Sequence, residues 1–194
     1  MPSLEEMDAN LLLSLALGIG LAAAVGFRVF LPLFIYGLAA KFGILTSSSG
    51  FEWASTTPAL VMFTIAAVIE VAAYYIPVLD NVMDHAAAPL AVAAGIGLAA
   101  ASLGDAPPML KWTLAIIAGG GVAAATHGAT TLLRGTSTVM TAGLGNHVLA
   151  TGEIFSAIAM SLLAIVLPYM ALIVVLVIAV MAARLLLRRR PRPS

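Results

Sequence analysis

Five long apolar runs, almost free of charge, constrain this chain more than any other feature. They cover residues 10–40, 57–76, 86–103, 109–133 and 154–187. A helix needs roughly 20 apolar residues to match a hydrocarbon core about 30 Å thick. In lipid every backbone polar group must be satisfied internally, which leaves helices or closed barrels as spanning structures. The runs are continuous and rich in Ala and Leu, without the period-two alternation of a membrane barrel. Only 9% of the residues are charged, against roughly 25% in soluble domains. That is too few to coat a water-facing surface, so a soluble enzyme, a nucleic-acid-binding module and a disordered chain are excluded. The chain reads as an all-α integral membrane protein, a single transmembrane domain over residues 1–194.

Turn-forming residues separate the runs: Thr46 to Gly50, Pro77 with Asp80, Gly104-Asp105 with Pro107-Pro108, and the Gly- and Thr-rich stretch 135–145. Two runs are too long for one straight crossing. Residues 10–40 would make a helix of about 46 Å. Pro32 has no N–H to give, and its ring clashes with the carbonyl of Arg28, four residues back. The sequence therefore predicts one crossing to Arg28, a break, and a short helix over 30–40. Pro168 makes the last run either one kinked, tilted helix or two crossings with almost no turn. With that run counted once, there are five crossings. Lys41, Lys111 and the tail Arg184, Arg188, Arg189, Arg190 and Arg192 then share one side, and only Arg134 faces the other. The positive-inside rule makes the arginine-rich side cytoplasmic and places the N-terminus outside. The first run, with Glu5, Glu6 and Asp8 before it and no basic residue before Arg28, is expected to stay as a membrane helix rather than act as a cleaved signal.

Gly18-Ile19-Gly20-Leu21-Ala22-Ala23-Ala24 and Gly119-Gly120-Gly121-Val122-Ala123-Ala124-Ala125 open two halves of similar design. Each leads to an Arg and then to a Glu. Halves over 10–84 and 109–187, joined by a connector over 86–103, would form an inverted-topology repeat of the kind that places a transport site between broken helices. The alternative is that the small residues only let helices pack closely. The uncharged run 135–145 is expected to be a re-entrant loop.

Charges inside apolar runs cost at least about 2.5 to 3.5 kcal/mol each at a helix centre, so each needs a partner or a task. Arg28 and Glu70 are expected to pair. They serve either as a structural bridge or as the lining of a polar cavity. His127, Arg134, Asn146 and Glu153 gather around the run 135–145 as further candidates for a polar path; the alternatives are a packing histidine and an interfacial ion pair. Asp80, Asp84 and His85 are weak metal-ligand candidates, since carboxylates and imidazole suit cations but equally form a solvated helix cap. There is no Gly-x-Ser-x-Gly, His-Glu-x-x-His or phosphate-binding loop. No catalytic residue and no cofactor is implied, and the absence of cysteine removes thiol chemistry. The C-terminal arginines read as an anchor to anionic lipid in the surrounding bilayer, and Trp53 and Trp112 as interfacial residues.

Read together, these residues resemble the bacterial family catalogued as domain of unknown function 4126, over about residues 11 to 170. Gly26, Arg28, Leu31 and Pro32 match its Gly-x-Arg and Leu-Pro elements. Glu70, Pro77, Asp80, Asp84 and Pro89 match a Glu, Pro, Asp, Asp, Pro series, and His127, Arg134 and Glu153 match its later polar positions. Thr130 stands where a Lys is expected, and Ile154 where a second acid is expected. The resemblance implies that the polar residues act as one set in a small bacterial inner-membrane protein; it brings no function with it. Three functions fit the sequence. Foremost is a transporter or channel for an ion or small polar solute lined by the buried charges. Next is a scaffold or accessory subunit with structural charge pairs, and last a lipid-acting enzyme. A chain this short is expected to need partners, such as further copies of itself, to enclose a pathway.

Overall fold

A computed structural model describes the backbone over residues 4–104 and 106–188, and the side chains of these residues outside 4–8, 77–82, 84–85, 182 and 185–188. All regular structure among the described residues is helical: α1 (Leu4–Phe27), α2 (Phe30–Lys41), a 3₁₀ turn (Glu52–Ser55), α3 (Thr57–Tyr74), α4 (Pro77–Ser102), α5 (Pro108–Leu114), a π-helical turn (Ala115–Gly120), α6 (Gly121–Thr141), α7 (Asn146–Val166) and α8 (Pro168–Arg188). Four spans are long and apolar enough to cross a membrane: Ala9–Phe27, Thr57–Tyr74, Pro108–Thr141 and Asn146–Val166. Phe30–Lys41, Ala86–Ser102 and Pro168–Met181 are shorter apolar helices. The protein is an all-α membrane protein.

Proline marks three of the helix starts. Pro77, Pro108 and Pro168 each occupy the first position of their helix, where the missing N–H would have had no partner. Thr56 caps α3 by accepting from the Ala59 N–H at 3.4 Å. The predicted break falls at Arg28–Val29, between α1 and α2. At Pro168 the last run is divided: Leu167 leaves helical geometry (φ −136°, ψ 69°) and separates α7 from α8. α7 also begins at Asn146, well before the expected start of the fifth run.

Residues 135–141 depart from the expected re-entrant loop and instead complete α6, which ends at Ala142 in left-handed geometry (φ 52°). The hydroxyls explain why. Thr136 Oγ1 donates to the Leu132 carbonyl (2.9 Å), Thr138 Oγ1 to Arg134 (2.9 Å) and Thr141 Oγ1 to Ser137 (2.7 Å). Each polar side chain is thus satisfied by its own helix four residues back, so a sequence that looks loop-like can be helix in lipid.

α1 is the central helix and packs against α4, α6, α7 and α8. Its core face is made of Ala16, Leu21, Ala22, Ala24 and Val25, small residues that bring backbones close where lipid supplies no hydrophobic drive. Both glycine-rich runs are used in this packing. A Cβ on Gly20 would lie 2.7 Å from Ala164 Cβ, and one on Gly119 would lie 2.6 Å from Ala99 Cβ and 2.7 Å from the Gly95 carbonyl oxygen. The Gly95–Gly119 contact joins α4 to the π-helical turn with backbone against backbone. Gly119→Ala must push these segments apart and is expected to cost about 1–3 kcal/mol, read as a lowered melting midpoint in detergent. Gly121→Ala, whose Cβ would meet open space, is expected to leave that midpoint unchanged.

Candidate functional site

Six polar side chains predicted from the sequence, Arg28, Glu70, His127, Arg134, Asn146 and Glu153, are all buried. Four helices supply them. Arg28 follows the last residue of α1, Glu70 lies on the inner face of α3, His127 and Arg134 are two turns apart on the inner face of α6, and Asn146 and Glu153 lie on the inner face of α7.

Glu153 is the centre of the arrangement. Its Oε2 lies 3.1 Å from Arg28 Nη2, and its Oε1 accepts from Arg134 Nε at 2.9 Å. Arg134 Nη2 also donates to Oε2, so Arg134 grips the carboxylate with two nitrogens while Arg28 takes a share of one oxygen. Two-nitrogen contacts of this kind fix the geometry of a guanidinium on a carboxylate. Arg28 reaches further across α7, donating from Nη2 to the Ala150 carbonyl at 3.2 Å. Both guanidiniums lie against the Tyr74 ring, with their carbons 3.8 Å (Arg28) and 3.9 Å (Arg134) from its centre. A desolvated guanidinium on an aromatic face gains about 2 kcal/mol or more.

The expected Arg28–Glu70 ion pair is not formed. Glu70 accepts instead from two backbone N–H groups, Val29 at 2.8 Å through Oε1 and Phe30 at 3.0 Å through Oε2. The physical reason is the break that Pro32 imposes. It strips Val29 and Phe30 of their helical partners, and these orphan donors sit at the positive end of α2, where a carboxylate is favoured. Glu70 therefore holds the break open, while Arg28 turns to Glu153. Both arginines remain within electrostatic range of Glu70.

Asn146 joins the cluster through α6: its Nδ2 donates to Thr138 Oγ1 at 2.9 Å, and Thr138 in turn bonds the Arg134 carbonyl. The His127 carbonyl accepts from Thr130 Oγ1 at 2.8 Å. Arg28, Tyr74, His127, Arg134 and Asn146 each have partners beyond those named. The metal-ligand candidates Asp80, Asp84 and His85 lie outside the residues whose side chains are described, as do the arginines at 188–190 and 192. Among the described residues no group of three potential metal ligands comes together.

Sequence reasoning missed Tyr74. The signal was present, since Tyr74 follows Glu70 by four residues and so shares its helix face. It also gave no partner for Lys111. Lys111 is 8% exposed and donates to Ser48 Oγ, which itself donates to the Gly104 carbonyl at 2.6 Å. This second polar knot pins the loop after α2 to the turn after α4. A separate groove of about 390 Å³ opens between α2 and α3, lined by Leu31, Phe34, Ala67, Val68 and Val71, and carries no charged side chain.

Over residues 15–188 the chain matches the family described as Domain of unknown function (DUF4126). No curated protein and no solved structure matches it.

Proposed function

We propose that the chain, which belongs to the DUF4126 family and takes no activity from that membership, is a small membrane transporter or channel for an ion or small polar solute. The buried Arg28–Glu153–Arg134 cluster is its exchange site. The observation that carries this reading is the sharing of one carboxylate by two arginines beside a broken helix. Burying ions is expensive, and replacing a buried ion network by well-packed apolar residues is often neutral or stabilising. Stability alone therefore gives little reason to keep so many charges among apolar spans. A carboxylate shared between two cations can move toward either, and the Glu70-held break leaves α1 and α2 joined by a hinge. Five crossings, an external N-terminus, a cytoplasmic arginine tail bound to anionic lipid, and an inverted repeat with halves 10–84 and 109–187 belong to the same reading.

A second reading is favoured by a different observation. Glu70 has a complete structural task at the break and Glu153 is fully engaged, which suits a scaffold whose charges are fixed pairs. Reconstitution separates the two. Purified protein in liposomes is expected to give a flux of some ion or small polar solute above that of empty liposomes, and Glu153→Gln is expected to change its pH dependence. No flux across a broad panel, from protein shown to be folded, favours the scaffold.

A further inference from the structure

The apolar groove between α2 and α3 points toward a lysine. We infer that the groove and Lys41 together bind one anionic phospholipid, with an acyl chain in the groove and the phosphate on the Lys41 ammonium. The site uses none of the side chains of the ion cluster and does not depend on transport.

Chemistry and dimension select this occupant. The groove, about 390 Å³, is lined by Leu31 and Phe34 of α2 and by Thr64, Val68 and Val71 of α3. Thr64 adds little polarity, since its hydroxyl donates to the Leu60 carbonyl at 2.8 Å. Such a lining suits hydrocarbon and would leave a polar ligand unpaired. Leu31, Phe34 and Lys41 recur at helical spacing on one face of α2. Lys41, the last residue of α2, reaches across to Thr57, the first residue of α3, and donates to its Oγ1 at 2.8 Å. Leu31 and Lys41 are ten residues apart, about 15 Å along a helix. That is half of a hydrocarbon core about 30 Å thick, the depth of one leaflet. An acyl chain anchored at Lys41 therefore ends near Leu31 and Val71, the chain neighbours of Phe30 and Glu70, which are bonded at the break.

The headgroup end suits an anion. Lys41 and Thr57 are both exposed. Among the described residues Lys41 makes no ion pair, and Thr57 takes one of its three N–H groups. The Thr57 hydroxyl accepts that bond and keeps its own proton to donate. A phosphodiester carries one negative charge and accepts from both groups. Exposed Trp53 lies four residues before Thr57, an aromatic of the kind that membrane interfaces favour. Glu52, the carboxylate of the same segment, is engaged by the Gly50 N–H at 2.8 Å. A zwitterionic headgroup would bring its own cation beside the lysine, so the site discriminates by net charge.

Bromine on an acyl chain quenches tryptophan fluorescence on contact, so a tryptophan in the groove reports which lipid fills it. The chain has two tryptophans, Trp53 and Trp112. In full-length protein carrying Trp53→Phe and Trp112→Phe, Phe34→Trp supplies the reporter. Leu162→Trp, at an exposed position on α7, supplies the control. The vesicles are equimolar phosphatidylglycerol and phosphatidylcholine, with one lipid or the other brominated. At Phe34→Trp phosphatidylglycerol is expected to be preferred about fivefold, the effect of one lysine near a membrane surface. Lys41→Gln should bring that preference to about one, and Lys41→Arg should keep it. At Leu162→Trp the two lipids should quench equally. Equal quenching at Phe34→Trp with Lys41 present would overturn the inference. So would a preference that survives Lys41→Gln or appears equally at Leu162→Trp. Quenching by neither lipid would overturn it as well, because the groove is then covered by protein, such as a second copy of the chain. Should Phe34→Trp fail to fold, Val68→Trp on the opposite wall, where the side chain is exposed, reads the same contrast.

Discussion

Glu153→Ala is expected to be the most destabilising single substitution in the chain. It removes the carboxylate that both buried arginines share, and breaking a buried ion pair from one side costs about 3–5 kcal/mol. Glu153→Gln keeps the shape and one acceptor oxygen, and is expected to lose about half as much. The conservative change Glu153→Asp should also be costly, because a side chain one methylene shorter cannot reach Arg28 and Arg134 together. Reversible unfolding in mixed micelles, followed by circular dichroism, measures all three. A Glu153→Ala protein as stable as wild type would mean that the arginines do not depend on this carboxylate.

The second large effect is expected at Glu70, through the backbone rather than through a charge partner. Glu70→Ala leaves the Val29 and Phe30 N–H groups without their acceptor. Each unsatisfied buried donor costs about 1–3 kcal/mol, so a total of about 2–6 kcal/mol is expected for the two. The loss should be local. Amide exchange at residues 29 and 30 is expected to accelerate in Glu70→Ala, while amides in the middle of α7 keep their protection. Glu70→Gln retains one carbonyl oxygen for one of the two donors and should fall between wild type and Ala. Uniform loss of protection along α1, α2 and α7 would instead tie Glu70 to the ion cluster.

Much of this was legible in the sequence, for reasons specific to lipid. A charge in an apolar run has to be accounted for, so Arg28 and Glu70 stood out, while Arg134 and Glu153 drew attention at the edges of the runs flanking 135–145; all four are buried. Pro32 located the break between α1 and α2 because a missing N–H and a ring clash act locally. Partner choice was less legible. Being lone charges within apolar runs linked Arg28 with Glu70, but the decision depended on two backbone donors freed by Pro32, and these carry no signature in side-chain identity. Tyr74 was overlooked because an aromatic residue at a helix end resembles an interfacial anchor until its ring is found in contact with two guanidiniums. The run 135–141 misled in the opposite direction. Gly, Ser and Thr read as loop residues in water, whereas here the threonine hydroxyls bond their own helix. The Ser48 partner of Lys111 was not legible because the positive-inside rule assigns a side of the membrane and says nothing of local partners.

Transport and scaffolding both start from one structural claim: Arg28 is coupled to Glu153, and Glu70 is bonded to the backbone of the break. Two double-mutant cycles with alanine, run on unfolding free energy in the same micelles, test it directly. The Arg28–Glu153 cycle is expected to return a coupling of about 2 kcal/mol or more, within the 0.5–3 kcal/mol span of contacting residues. The Arg28–Glu70 cycle is expected to return less than about 1 kcal/mol, since those two charges interact without a direct bond. The reverse order, with strong coupling to Glu70 and additive losses with Glu153, would contradict the account.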